Sequence, residues 1–174
     1  MRKLFLNILA ALGIISLTSA VPIPKDVVPV KPFDKQKYLG RWYEIARMDF
    51  RFERNLNNVT ATYSLRDDGQ IKVENRGYNY VTKEWKQVTG KAKLAGKPDE
   101  ASLKVSFFGP FYSAYIVIAL DKDYKYALVA GESLKYLWIL AREKTIPETI
   151  KQEYLKKAGD LGYDVSALIW TKQD

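Results

Sequence analysis

The chain contains neither cysteine nor histidine, so any chemistry must come from aromatic, cationic, hydroxyl or carboxylate side chains. Without cysteine there is no disulfide, thiolate metal site, catalytic thiol or lipid-bearing thiol. Without histidine, the commonest general base and metal ligand are missing. Catalysis would fall to a Ser–Lys pair, paired carboxylates or a base carried by the substrate. The adjacent carboxylates Asp67 and Asp68 precede Gly69, and hairpin-turn chemistry explains them better than acid–base work. Neither a Gly-x-Ser-x-Gly elbow nor a phosphate-cradling glycine loop occurs. The pattern points to a binding protein that is not an enzyme, with no cofactor and no metal.

The binding candidates are apolar and aromatic. Leu103, Val105, Phe107, Ile116 and Ile118 offer aliphatic and ring surface, while Tyr63, Tyr112, Tyr126, Tyr136 and Trp138 add rings with polar tips. To meet one ligand, these residues need strands that turn them to a common side. Asn58 to Arg66 alternates, with Val59, Ala61, Tyr63 and Leu65 on one face. Ile71 and Val73 continue that face after the turn. Between Glu84 and Leu94, Val88, Gly90, Ala92 and Leu94 are in phase but Trp85 is not, which predicts a bulge. Leu103, Val105 and Phe107 oppose Ser102, Lys104 and Ser106. With Arg41 to Phe50, Tyr112 to Leu120, Lys125 to Gly131 and Leu134 to Ala141, eight strands follow one another.

The period then changes. Ile146, Ile150, Tyr154, Leu155, Ala158 and Leu161 recur at helical intervals, predicting a helix over about 146–161. Thr145 and Glu148 have capping-box spacing, Pro147 suits a first turn, and Gly162 a stop. Ala167 to Thr171 reads as a last short strand. The expected fold is all-β: an eight-stranded up-and-down antiparallel barrel with one C-terminal helix packed outside. Its 174 residues suit one domain, and 47 % hydrophobic with 28 % charged residues is a globular balance.

The ends carry other information. Met1-Arg2-Lys3, an apolar stretch from Leu4 to Leu17 and Thr18-Ser19-Ala20 read as a signal peptide over 1–20. That stretch is shorter than the roughly 20 residues a spanning helix needs. A bacterial lipoprotein would carry a cysteine near this site, where Ala20 is followed by Val21. The expectation is an exported protein, periplasmic or secreted, or associated with the outer membrane without a lipid-anchor cysteine. Residues 21–32 hold four prolines and read as an extended leader. The net charge of +8 either simply solubilises the surface or favours transient contact with an anionic membrane surface. The basic residues are scattered among acids and the aromatics fall on inward positions, so no nucleic-acid partner is expected.

Gly40-Arg41-Trp42, Asp121-Lys122-Asp123-Tyr124 and Arg142 after Leu137-Trp138-Ile139-Leu140-Ala141 resemble, in order, the three signatures of the lipocalin family. Trp42 to Arg47, Val59 to Leu65 and Val105 to Tyr112 are similar to the bacterial outer-membrane branch, relatives of apolipoprotein D. The resemblance covers residues 33–174. It implies a barrel holding one small hydrophobic ligand, a fatty acid or lysophospholipid, in cell-envelope maintenance or stress. Another small hydrophobic cargo, or less readily a lipid-modifying activity, is the alternative. Composition and periodicity alone leave a filled core with no cavity open. The resemblance also implies that Trp42 and Arg142 close the narrow end, with Gly40, Asp121 and Tyr124 structural. Loops at about 51–57, 79–84, 108–111 and 132–135 would then share the open mouth. There Arg51, Arg54 and Lys135 are either headgroup contacts or ordinary solvated charges.

Overall fold

A computed structural model describes residues 26–174. The signal-peptide reading, Pro22 and Pro24 lie outside the described residues. The barrel strands are β1 (Gly40–Met48), β2 (Leu56–Leu65), β3 (Ile71–Asn79), β4 (Glu84–Leu94), β5 (Ser102–Ser106), β6 (Ser113–Leu120), β7 (Tyr126–Ala130) and β8 (Leu137–Ala141). Each pairs antiparallel with the next, and β1 returns to β8 through Tyr43 opposite Ala141. Closure removes the sheet edges that would invite aggregation.

Strand β1 makes the closure by a change of register. Gly40 to Tyr43 lie opposite Tyr63 to Thr60 of β2, and the β1–β8 register slips between Glu44 and Ala46. Beyond the slip, the short C-terminal strand β9 (Leu168–Trp170) takes the place of β2, setting Ala46 opposite Trp170 and Met48 opposite Leu168. A bulge re-aims the side chains that follow it. Ile45 and Ala46 therefore both join the outer core, while Trp42 stays within the barrel.

Two hydrophobic cores result. One fills the lower barrel with Trp42, Tyr63, Ile71, Val73, Leu103, Val117, Val129 and Leu140. The other lies between the barrel wall and helix α2 (Glu148–Asp160), where Tyr154 and Ala158 pack against the cluster holding Ile118, Leu128 and Ile139. The helix differs from the expected 146–161. Pro147 stands at its N-cap with no side-chain cap bond, so the expected Thr145–Glu148 box is not formed. Glu148 instead accepts from Gln152 at 2.7 Å, one turn on. Gly162 does end the helix, with φ of 91°.

Three further differences concern local detail. The β3–β4 register runs unbroken from Ile71–Ala92 to Asn79–Glu84, so no bulge separates Trp85 from Val88. Trp85 simply faces outward, with the Arg76 guanidinium carbon 3.9 Å from its ring centre. Leu65, expected inside, is exposed at the end of β2. The leader is tied down where it meets the barrel: the Val30 amide donates to the Val117 carbonyl, and the Ala101 amide to the Val30 carbonyl.

Candidate functional site: a barrel with a plugged floor and an open mouth

The floor is built from a short helix that the sequence reading did not predict. Asp34 accepts from the amides of Gln36 and Lys37, starting α1 (Lys35–Tyr38) across the base of the barrel. Tyr38 is fully buried and its ring lies 4.8 Å from Trp42, whose indole N–H donates to the Tyr38 carbonyl at 2.9 Å. The guanidinium of Arg142 sits 3.9 Å from the Trp42 ring centre. It also donates to the carbonyls of Lys37, Tyr38, Leu39, Arg41 and Tyr124. One cation thus satisfies the orphan carbonyls at the end of α1 and stacks on the buried indole. Gly40 has φ of 96°, and a Cβ there would come within 3.3 Å of Arg142 Nη1, so glycine fits on both counts. Asp121 holds the neighbouring turn by accepting from the amides of Asp123, Lys125 and Tyr126, and Tyr124 takes the left-handed φ of 57° this turn needs.

Above the floor lies a cluster of phenols. The Tyr115 hydroxyl is 2.7 Å from that of Tyr38 and 2.8 Å from that of Tyr63. Burial pushes all three well above the usual phenol range, so they remain neutral donors and acceptors.

The wall changes character with height. Near the floor Trp42, Val73, Leu103 and Val117 are buried. Nearer the mouth Val105, Phe107, Tyr115 and Trp138 face the same interior yet are only partly buried. The lower barrel is therefore filled, whereas the upper wall keeps part of its ring and aliphatic surface in contact with solvent. Gly90 helps shape this space, because a Cβ there would lie 2.5 Å from the Ser106 carbonyl and 2.7 Å from the Phe107 ring.

Of the expected wall residues, Tyr63, Leu103, Val105, Phe107 and Trp138 face inward. Tyr136 joins them at the rim, stacked on Trp138 at 6.2 Å. Four expectations are corrected. Ile116 packs on the outer core beneath α2, as does Ile118. Tyr126 also faces the helix, and its carbonyl accepts from the Tyr154 hydroxyl. Tyr112 lies outside, its ring centre 4.9 Å from the Lys93 ammonium. The inward residues of β6 are Tyr115 and Val117, and Leu120 beyond a register shift. The reason is physical: β6 is apolar on both faces, since one meets the barrel interior and the other α2, and alternation cannot tell them apart.

The mouth is formed by the loops after β1, β3, β5 and β7. Arg51 is exposed, with its guanidinium carbon 5.0 Å from the Phe52 ring centre. Arg54 is engaged by Asp49 through two bonds of 3.3 and 3.1 Å, and Lys135 is exposed on the loop after β7. Arg54 is thus an ion-paired surface group and not a free cation.

Inside the mouth lies a polar knot that the sequence reading missed. Arg47, 2 % exposed, donates to Glu44 at 2.6 Å, to Thr171 at 2.9 Å and to the Glu53 carbonyl at 2.7 Å. The Thr171 hydroxyl donates in turn to Glu44, and the Trp138 indole N–H to the Glu53 carboxyl at 3.2 Å. Glu53 therefore dips from the entrance loop to the aromatic wall. Burial, followed by the nearby Glu44 carboxylate, holds its carboxyl well above the usual range. The phase of Glu44 with Trp42 was the available signal, since it places a carboxylate inside the barrel.

A closed meander with a plugged base, an open mouth and an apolar upper wall defines a small-molecule binding barrel. The chain belongs to the lipocalin family: the lipocalin-like domain model matches residues 33–173. It is 54 % identical over 164 residues to the outer membrane lipoprotein Blc of Citrobacter freundii, covering 94 % of this chain and 92 % of that protein. Apolipoprotein D of Rattus norvegicus is 40 % identical over 133 residues, 71 % of this chain and 68 % of that one. Insecticyanin from the tobacco hornworm Manduca sexta shares the fold with a TM-score of 0.70, at 21 % identity and 88 % coverage of each chain. Lipocalins are in general binding and carrier proteins for small hydrophobic molecules.

Proposed function

We propose that this protein binds and carries a single acyl lipid, a fatty acid or lysophospholipid, with its tail in the upper barrel and its head at the mouth. The observation that carries the reading is the partly open apolar wall of Val105, Phe107, Tyr115 and Trp138 above a sealed floor. An acyl tail of about fourteen methylenes gains roughly 11 kcal/mol on burial, at ~0.8 kcal/mol each. Association and ordering cost about 4–15 kcal/mol; at the low end of that cost about −7 kcal/mol remains, an affinity of order ten micromolar that suits a carrier that must release its load. Arg51 and Lys135 are exposed where an anionic head would lie.

The same reading includes export by the first twenty residues and work in the cell envelope. The similarity to proteins named outer membrane lipoproteins supports the envelope, although no cysteine occurs in residues 1–174 to take a lipid anchor. The experiment is native mass spectrometry of protein purified from its own host. A co-purified adduct with the mass of one acyl lipid supports the carrier. Ligand-free protein that also fails to take up added fatty acid or lysophospholipid overturns it.

A further inference from the structure

Exposed ring surface is concentrated at one end of the molecule. Phe52, Phe108 and Phe111 are 67 %, 67 % and 78 % exposed, on the loops after β1 and β5. Tyr80 and Val81, also exposed, sit on the loop after β3. Phe52 and Phe108 approach each other across the rim, with ring centres 6.4 Å apart. These groups do not line the interior; they project from the edge of the mouth. Large apolar side chains left in water around an opening mark an interaction surface.

The cations show what the surface fits. Arg51 lies against Phe52, and Lys83 and Lys135 are exposed on two of the remaining mouth loops. Rings flanked by long cationic side chains match the interface of a phospholipid bilayer, where rings enter the acyl boundary and cations meet phosphates. Among the described residues no helix is long and apolar enough to cross a membrane.

We infer that the rim formed by Phe52, Phe108 and Phe111, with Arg51, Lys83 and Lys135, docks the open mouth onto an anionic phospholipid surface, so that an acyl chain passes between bilayer and barrel without crossing water. This rests on the carrier reading and adds the surface from which the cargo comes. The rings act outside the cavity, so docking and cargo binding are separable.

The test uses protein purified after export and vesicles of phosphatidylcholine with phosphatidylglycerol. Flotation should show binding that weakens with added salt, because the cations contribute. Replacing Phe52, Phe108 and Phe111 together with Ser should weaken vesicle binding at least about tenfold, while uptake of a soluble short-chain lysophospholipid stays unchanged. Leu65→Ser, an exposed apolar group at the opposite end, should leave vesicle binding intact. Vesicle binding by the triple variant equal to wild type overturns the inference. So does wild type that takes up soluble lipid but ignores vesicles, and that result leaves the carrier reading standing. A dimer that the triple variant abolishes, with no vesicle binding, assigns the rim to a second copy and overturns it too. Vesicle binding together with failure to take up soluble lipid overturns the carrier reading instead.

Discussion

Arg142 and Trp42 form the seal of the barrel: the guanidinium lies 3.9 Å from the indole ring centre while its nitrogens hold five backbone carbonyls around the base. Stacking alone is worth about 0.5–2 kcal/mol. A double-mutant cycle with Trp42→Phe and Arg142→Ala should show coupling in urea unfolding. The Arg142→Ala cost should exceed the coupling, because the α1 carbonyls lose their donors. Additive effects would remove the pair as a unit.

The polar knot at the mouth should make stability depend on pH. The Glu53 carboxyl is raised in the folded protein, first by burial and then by Glu44. A raised carboxyl binds its proton more tightly folded than unfolded, where the reference is about 4.3. Its contribution is therefore fully present below that value and is lost as pH rises through the folded pKa. Glu53→Gln cannot ionise. The stability of wild type relative to this variant should fall as pH rises from about 4, read by urea unfolding. A difference that stays constant with pH would contradict the assignment.

The side-chain phase of β6 gives a third prediction. Tyr112→Ala removes a ring that lies outside, against Lys93, and should leave lipid affinity unchanged. Ile118→Ala empties space beneath α2 and should cost about 2–5 kcal/mol of stability. Tyr115→Phe removes the hydroxyl between Tyr38 and Tyr63, and should cost about 1–3 kcal/mol. Fluorescence titration and unfolding curves check all three. A loss of affinity in Tyr112→Ala would restore the opposite phase.

Legibility in the sequence followed the surroundings of each strand. β5 places Leu103, Val105 and Phe107 opposite Ser102, Lys104 and Ser106, because its outer face is not covered by the helix; its inward residues could be read directly. β6 and β7 are covered by α2, so Ile116 and Tyr126 looked equally suited to either side. The eight-strand order and the helix were legible because turn residues and a change of period mark them. The α1 plug was not, since four residues show no period and its cap, Asp34, follows a proline-rich leader. Nor was the buried Arg47 knot: Glu44, Arg47 and Glu53 lie within ten residues of one another, but Thr171, which joins Arg47 to Glu44, reaches them only once β9 lies beside β1.

The central claim is that the upper barrel holds one acyl chain against Trp138, whose ring faces inward and clusters with Tyr136 and Phe50. Its most direct test is a tryptophan-fluorescence titration of delipidated, folded protein with a lysophospholipid or fatty acid. The emission should change saturably at about one ligand per chain, and Trp138→Ala should weaken binding by roughly 1–3 kcal/mol while the barrel stays folded. No saturable change with any acyl ligand, in protein shown to be folded and lipid-free, would contradict it.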